Sequence, residues 1–486
     1  MPDGAPPLSA HLRRLGSQAL VYGTADVFTS AVSFALLPLF TRLLTPADYG
    51  ALGILQLVSS VTKILFRLGL DGAFLRVHFD QEDEAARRRL AGTALLFSAL
   101  AGTLLLALVA LAAPLLNGLL FRNARPPVSW LLLVALDTWV GAFSFVPQAL
   151  LRAEQRAGAF ALFSVGRHAL NIGLKVALLL HGYGVTGVLL SDLAATVAFT
   201  LALLPLLARR ARPAFDRAQL RELLAFGLPR VPHGLMLQAQ NLIDRPILEA
   251  FGALAQVGVY HVGYTLGGTV KFALSAFEPA WQPFVFAQMR TPQAAATLAR
   301  VVSVVATAFV AMGLAVALLA REIVQVMTAP AYHAAADVVP VVALAYVLHG
   351  AFLLTSIGIA VAKEARWYPL ITFASAATNV ACNLLLIPRL GMLGAAWATV
   401  AAYAVMAVLG FVISRRLYPL PFEHGRLARV LLAAVALYAL TPLSPVALLP
   451  ALAFKSLLLC AFPLLLTLTR AVTPAELRQV RAALRR

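Results

Sequence analysis

The sequence predicts an all-α, polytopic membrane protein of about 14 transmembrane helices, built from two parallel six-helix repeats and a final helix pair. Three observations carry this: composition, the spacing of apolar runs, and the distribution of Lys and Arg. The 486 residues are 61% apolar and 12% charged, with a mean hydropathy of +0.84. A soluble chain is normally about half apolar and about a quarter charged. A soluble enzyme, a disordered chain and a nucleic-acid binder are thereby excluded, despite a net charge of +18. Cys382 and Cys460 both fall in apolar runs without close Cys or His neighbours, so neither a disulfide framework nor a zinc site is expected. No phosphate-binding loop, metal cluster or catalytic constellation occurs, and no cofactor is expected.

A hydrocarbon core of roughly 30 Å needs about 20 mostly apolar residues per helix. Such runs occur at 17–41, 47–68, 90–119, 128–151, 158–181, 185–208, 221–248, 254–287, 294–320, 336–361, 367–388, 392–414, 427–444 and 449–470. The first is too long for a cleaved signal peptide, carries Asp26 in its middle and lacks a small-residue cleavage site. Residues 1–14 form a cytoplasmic segment, Pro-rich and disordered at its start. An N-lobe over 15–208 is followed by a basic cytoplasmic linker at 209–220 and a C-lobe over 221–414. Residues 415–470 hold a linker and helices 13 and 14. The tail at 471–486 is basic and amphipathic from Thr473, a helix lying on the anionic inner leaflet or solvated beside it.

Lys and Arg gather in cytoplasmic loops. With both termini inside, 26 basic residues fall on the cytoplasmic side and five outside: Arg42, Arg122, Arg125, Arg321 and Arg389. This asymmetry accounts for most of the net charge without any nucleic acid. It also fixes the expected location, a bacterial cytoplasmic (inner) membrane crossed many times.

Sliding the chain by 208 residues lays Pro38 on Pro246, Gly50 on Gly258 and Lys63 on Lys271. Arg152-Ala-Glu154-Gln-Arg156 resembles Ala362-Lys-Glu364-Ala-Arg366 at an offset of 210, and Gly184-x-x-Gly187 matches Gly391-x-x-Gly394 at 207. Apolar helices resemble one another by composition, but repeated Pro and charged positions at one offset are not a composition effect. Six helices is an even number, so both copies share one orientation, as in transporters whose binding site lies between parallel repeats.

The chain resembles the polysaccharide-export flippases of the multidrug/oligosaccharidyl-lipid/polysaccharide exporter superfamily, of the O-antigen repeat-unit translocase type. The resemblance rests on Pro38-Leu-Phe-Thr-Arg42-Leu-Leu-Thr-Pro46-Ala-Asp-Tyr-Gly50, on Phe251-Gly-Ala-Leu-Ala-Gln-Val-Gly-Val-Tyr260, and on Asn383-Leu-Leu-Leu-Ile-Pro388-x-x-Gly391-x-x-Gly394-Ala-Ala. It covers helices 1–12, and helices 13 and 14 resemble the extra pair of fourteen-helix members. It implies two lobes around a V-shaped central cavity lined by helices 2, 7 and 8. The implied substrate is an undecaprenyl-pyrophosphate-linked oligosaccharide, moved to the outer leaflet for lipopolysaccharide or exopolysaccharide assembly. Membrane lipids, a polysaccharide polymerase and glycosyltransferases are the implied partners, with no nucleic acid among them.

Beyond the 31 basic residues assigned to the two sides, the remaining eight of the 39 lie within spans: Lys63, Arg67, Arg167, Lys175, Arg230, Arg245, Lys271 and Lys455. A charge at the bilayer centre costs about 2.5–3.5 kcal/mol on insertion scales, so such groups face water or a partner. At about 1.5 Å per residue, Lys63, Arg167, Arg230 and Lys271 fall near mid-depth, Arg67 near the cytoplasmic edge, and Lys175 and Arg245 towards the outer edge. Lys455 reads as a snorkelling residue near a helix end. The first four are candidate phosphate ligands in the cavity. Asp26, Asp137, Asp192 and Glu278, also within spans, are their alternative partners, and Asp244 beside Arg245 reads as a local pair.

The seventh span is broken by Pro229, Pro232 and Pro246 and carries Gln238 and Asn241 one turn apart, candidate contacts for sugar hydroxyls. Tyr22, Tyr264 and Trp281 could stack on sugar faces or simply pack. Asp26 is the candidate for proton or cation coupling, or else a structural partner of Lys63.

A multidrug exporter and a peptidoglycan-precursor (lipid II) flippase are the rival transporters. The first would want an acidic or aromatic cavity. A membrane glycosyltransferase or repeat-unit polymerase would carry a large outer loop, whereas no outer loop here exceeds about 16 residues.

Overall fold

In the computed structural model the described residues are 32, 34–289 and 294–472. Most of the first predicted span lies outside them, with Tyr22 and Asp26, as do the N-terminal segment and the amphipathic tail from Thr473. Among the described residues every regular element is helical, and eleven helices are long and apolar enough to cross a membrane. They correspond to the predicted spans two to six and nine to fourteen. The seventh and eighth are helical but interrupted. Packing divides the chain into two compact units, one up to Ala250 and one from Phe251.

The first unit contains α1 (Leu37–Leu43), α2 (Pro46–Arg67), α3 (Leu70–Asp80), α4 (Glu84–Leu120), α5 (Val128–Ala142), α6 (Phe145–Ala153), α7 (Ala157–Leu180), α8 (Gly184–Arg210), α9 (Arg217–Gly227) and α10 (Val231–Leu242). Nearly all of α11 (Asp244–Phe251) also falls here. Pro46 opens α2 because its missing N–H is not needed at a first helical position, and Thr45 and Asp48 cap that end reciprocally. The helix stops at Leu68 and Gly69, both left-handed (φ 47° and 74°), and resumes as α3. At this kink the backbone of Gly227 passes so close that a Cβ there would stand 2.6 Å from the Leu68 carbonyl. The chain of α9 breaks at the same place into a short 3₁₀ turn, Leu228–Arg230, before α10. Two broken helices therefore meet at their breaks, α9 against α3 and α10 against α2. Leu70, Phe74, Leu90, Phe145 and Leu223 make the adjoining core.

α4 has 37 residues, about 55 Å at 1.5 Å per residue, so it outreaches the hydrocarbon layer. Its Leu100, Leu104, Leu108, Leu111, Leu115 and Leu119 are exposed along one face. That stripe belongs in lipid.

The second unit contains α12 (Leu254–Gly267), α13 (Val270–Gln288), α14 (Ala294–Leu318), α15 (Ala320–Met327), 3₁₀ turns over Pro330–Asp337, α16 (Val338–Thr355), α17 (Ile357–Val361), α18 (Trp367–Leu390), α19 (Met392–Leu417), α20 (His424–Ala439) and α21 (Leu448–Leu468). α16 packs against α12, α14 and α19, and α18 lies along α19. Helices α20 and α21 dock on α14 through Leu314, Leu318, Val430, Leu437, Leu458 and Phe462.

Helix boundaries recur at the offset found in the sequence. α2 and α12 begin at Pro46 and Leu254, α3 and α13 end at Asp80 and Gln288, and α8 and α19 begin at Gly184 and Met392, each pair 208 residues apart. The breaks do not recur: Lys63 precedes the kink in its helix, whereas Lys271 follows the break at Gly268–Thr269 in its own.

Buried charges are matched inside the protein. Asp244 and Arg245 form the local pair expected from the sequence, at 2.8 Å with both side chains buried. Glu249 is fully buried, and its carboxylate accepts the backbone N–H groups of Arg122, Asn123 and Ala124 at 2.7–3.0 Å, which pins the α4–α5 loop. Lys455 corrects the sequence reading. It does not snorkel: α21 starts at Leu448, which carries Lys455 two turns inward onto α15, where Nζ lies 2.7 Å from Glu322 Oε1 with side-chain exposures of 3% and 4%.

Two stability predictions follow from these contacts. Glu322→Ala strands a buried ammonium and should cost about 3–5 kcal/mol, whereas Glu322→Leu with Lys455→Met should recover most of it. Melting followed by size-exclusion fluorescence checks this, and an Ala variant that melts with the parent would rule out the buried pair. Gly227→Ala drives a Cβ into backbone and should cost at least about 1–3 kcal/mol. Gly158→Ala, which meets nothing within 4 Å, should leave the melting temperature unchanged.

Candidate functional site

A cavity of about 270 Å³ lies inside the first unit between α2, α5, α6, α7 and α8. Two of the four predicted phosphate ligands, Lys63 and Arg167, line it together. Arg67 and Asp137 complete its charged wall, among Ser, Thr and Gln side chains. Helical spacing explains the α2 contribution, since Lys63 and Arg67 are one turn apart on the same face.

Each cation is held differently. Arg67 is anchored: Nη1 reaches both Asp71 oxygens at 3.1 Å and Nη2 donates to the Gly141 carbonyl at 3.2 Å. Arg167 donates from Nη2 to Thr196 Oγ1 at 3.1 Å. Lys63 makes no ion pair or hydrogen bond among the described residues, and it is exposed to the cavity. Asp137 Oδ1 is buried without a hydrogen-bond partner. Among the described residues three cations thus stand against two carboxylates, one of them already spent on Arg67. Like charges one turn apart repel, so an anion entering here relieves a cost as well as gaining charge-assisted hydrogen bonds.

The other candidates lie elsewhere. Arg230 ends the 3₁₀ turn outside this cavity, exposed, with its guanidinium carbon 4.2 Å from the centre of the Phe226 ring. Arg76 sits over the same ring at 4.8 Å, so the two arginines form a second cationic patch. A Cβ on Gly72 would fall 2.6 Å from Arg230 Nη1, so the glycine is what gives the guanidinium its room. Gln238 and Asn241 lie half-buried on α10, and the Asn241 carbonyl accepts from Arg245 Nη1 at 2.8 Å. Lys271 is in the second unit, exposed near the start of α13, and neither it nor Glu278 forms an ion pair among the described residues. Asp192 is taken by Lys175, at 3.1 Å.

Trp281 is 2% exposed and packed against Phe277 and Phe284, which removes it from sugar stacking in this conformation. Tyr264 is half-buried between Tyr260 and Tyr346. Arg67 lines the cavity too, although it was not among the predicted phosphate ligands. Its spacing of four from Lys63 was the signal. Among the described residues no cluster of His, Cys, Asp or Glu could hold a metal ion.

A family model described as polysaccharide biosynthesis protein matches residues 39–337. No curated protein matches the sequence. Among solved structures, the lipid II flippase MurJ in an inward closed conformation is similar over 93% of this chain and 98% of its own, with a TM-score of 0.70 and 11% identity. An inward-facing multidrug resistance MATE family transporter of the MOP superfamily is similar over 85% of this chain and 95% of its own (TM-score 0.58, 16% identity), and a MATE structure in a straight conformation likewise (85% and 95%, 0.55, 18%). At such identities the likeness is one of fold. With the family model spanning more than half of its length, the chain belongs to the polysaccharide biosynthesis protein family, and it has the helical fold of the MurJ and MATE transporters of the MOP superfamily.

Proposed function

We propose that this protein is a flippase that moves an undecaprenyl-pyrophosphate-linked oligosaccharide repeat unit across the bacterial cytoplasmic membrane, for lipopolysaccharide or exopolysaccharide assembly. The observation that carries the reading is the cationic cavity of the first unit, with Lys63 unpaired among the described residues beside Arg67 and Arg167. A pyrophosphate cannot cross a low-dielectric layer as a bare ion. Unpaired cations at membrane depth lower that barrier: Lys63 supplies a mobile point charge, and Arg67 and Arg167 supply planar donors already oriented by neighbours. Arg230 and Lys271 would act as further anion contacts, Gln238 and Asn241 as contacts for sugar hydroxyls, and Asp26 as the coupling carboxylate. Glycosyltransferases that build the lipid-linked unit and a polymerase that consumes it are the expected partners, and both termini face the cytoplasm. A cavity with surplus positive charge does not suit cationic drugs.

The likeness to MurJ favours a second reading, a lipid II flippase. Both substrates carry a pyrophosphate, so the cavity serves either. Complementation separates them: the chain should restore surface polysaccharide in a strain lacking its repeat-unit flippase, and growth after depletion of a lipid II flippase would favour the second reading.

Lys63→Gln should leave the amount of protein in the membrane unchanged and cut export by roughly tenfold or more, as loss of one charge-assisted phosphate contact implies. The readout is lipid-linked oligosaccharide accumulating on the inner leaflet. Lys63→Arg should keep much of the activity. Full export by the Gln variant would remove the cavity from the mechanism. Arg230→Ala should likewise reduce export at normal protein levels. Disappearance of that variant from the membrane would instead make the Phe226–Arg230 contact structural.

A further inference from the structure

A second cavity, of about 800 Å³, opens in the second unit between α15, the 3₁₀ turns, the first turns of α19 and the α20–α21 connection. Its volume is that of a site for a sizeable organic ligand. The buried Glu322–Lys455 pair forms part of its wall, and Arg321 and Asp337 add one charge of each sign. Two cations therefore stand against two acids, and this cavity, unlike that of the first unit, has no charge preference for an anion.

Its other distinction is aromatic. Trp397 and Tyr438, from α19 and α20, both line the cavity and keep 44% and 40% of their surface exposed. Trp and Tyr often collect at a membrane interface with no ligand in view, but a belt has no reason to converge on one polar cavity. His333 adds a ring nitrogen, Nε2, that is buried without a hydrogen-bond partner. Flat apolar faces beside balanced polar groups match one ligand chemistry well, the pyranose ring, with C–H faces for the aromatics and hydroxyls for the rest.

Position is consistent with this. α19 begins beside the cavity and ends at Arg415 and Arg416, while α20 begins near Arg426 and Arg429 and ends beside the cavity. Within this unit the basic ends lie opposite the cavity, which by the charge rule places it at the outer face.

We propose that this cavity, formed between the final helix pair and the second repeat, is an outer-side subsite for the uncharged sugars of the exported oligosaccharide. The proposal rests on the flippase reading for the identity of the ligand. Sugar binding at this outer subsite is thereby separate from pyrophosphate binding in the first unit, and the two fail separately.

The test uses the full chain in nanodiscs of phosphatidylglycerol, free of sugar-based detergent. The probe is the labelled oligosaccharide released by mild acid from the lipid-linked repeat unit of the cells that make this protein. Equilibrium dialysis should show saturable binding, weakened roughly tenfold by Trp397→Ala or Tyr438→Ala, as for aromatic anchors in other interfaces. Trp397→Phe should keep most of the binding, and Leu432→Ala, on an exposed apolar position, should keep all of it. Lys63→Gln should bind the probe as the parent does. No saturable binding by the parent, or equal binding by the parent and Trp397→Ala, would overturn the proposal. So would loss of probe binding when phosphatidylethanolamine is added to the discs, because the cavity would then be a lipid headgroup site. Intact probe binding together with normal export by Lys63→Gln would leave this subsite standing and sink only the pyrophosphate role of the first cavity.

Discussion

A charge inside hydrocarbon has to be neutralised by something, and that constraint orders most of this structure. Buried ions here are matched by whatever the fold can bring within reach. Arg245 finds its chain neighbour Asp244, Lys455 finds Glu322 on another helix, and Glu249 finds three backbone amides of a loop. The last two tie distant stretches of chain together, and in each of the three a lost partner leaves an ion where water cannot compensate for it. Against this background Lys63 stands out. It makes no ion pair or hydrogen bond among the described residues and faces a polar cavity instead, which is the arrangement that the proposed anion site needs.

The same solvent governs the backbone. A broken helix exposes N–H and C=O groups that lipid cannot satisfy, so breaks are tolerated only against protein or a wet cavity. In the first unit the breaks at Leu68–Gly69 and Leu228–Arg230 face each other, each covering the other's irregular turn. The polar cavity with Lys63 and Arg67 lies directly before the first of these breaks, on the straight part of α2. A regular helix fixes the spacing of the two cations, and the irregular segment is displaced to the neighbouring turn.

Much of this was legible in the sequence, for definable reasons. Hydropathy reports what faces lipid, so the apolar spans were readable, and the prolines of the seventh span announced its interruptions. The offset of 208 was readable because helix ends are fixed by local signals such as Thr45, Pro46 and Gly184. Lys63 and Arg167, which line one cavity, could be singled out because charges are rare inside apolar spans. Pairings across helices were not legible: Lys455 meets a carboxylate 133 positions away, and no local pattern encodes which helix faces which. Trp281 stayed open between stacking and packing for the same reason, since an aromatic in an apolar helix gives no sign of whether it faces a cavity or, as here, the rings of Phe277 and Phe284. Glu249 lies just past the end of the seventh predicted span, and nothing local in the sequence shows that the α4–α5 loop folds over it.

The contact between Gly69 and Gly227 also bears on the order in which the chain can be assembled. During synthesis α3 enters the membrane long before α9 has been made. The core face of α3, with Leu70 and Phe74, lacks Leu223 until the seventh segment arrives. A nascent chain that has delivered only its first six spans therefore has an unfinished seam, with the irregular turn at Leu68–Gly69 uncovered. The first repeat on its own therefore leaves part of its core open, and the order of synthesis leaves it so until translation has passed Gly227.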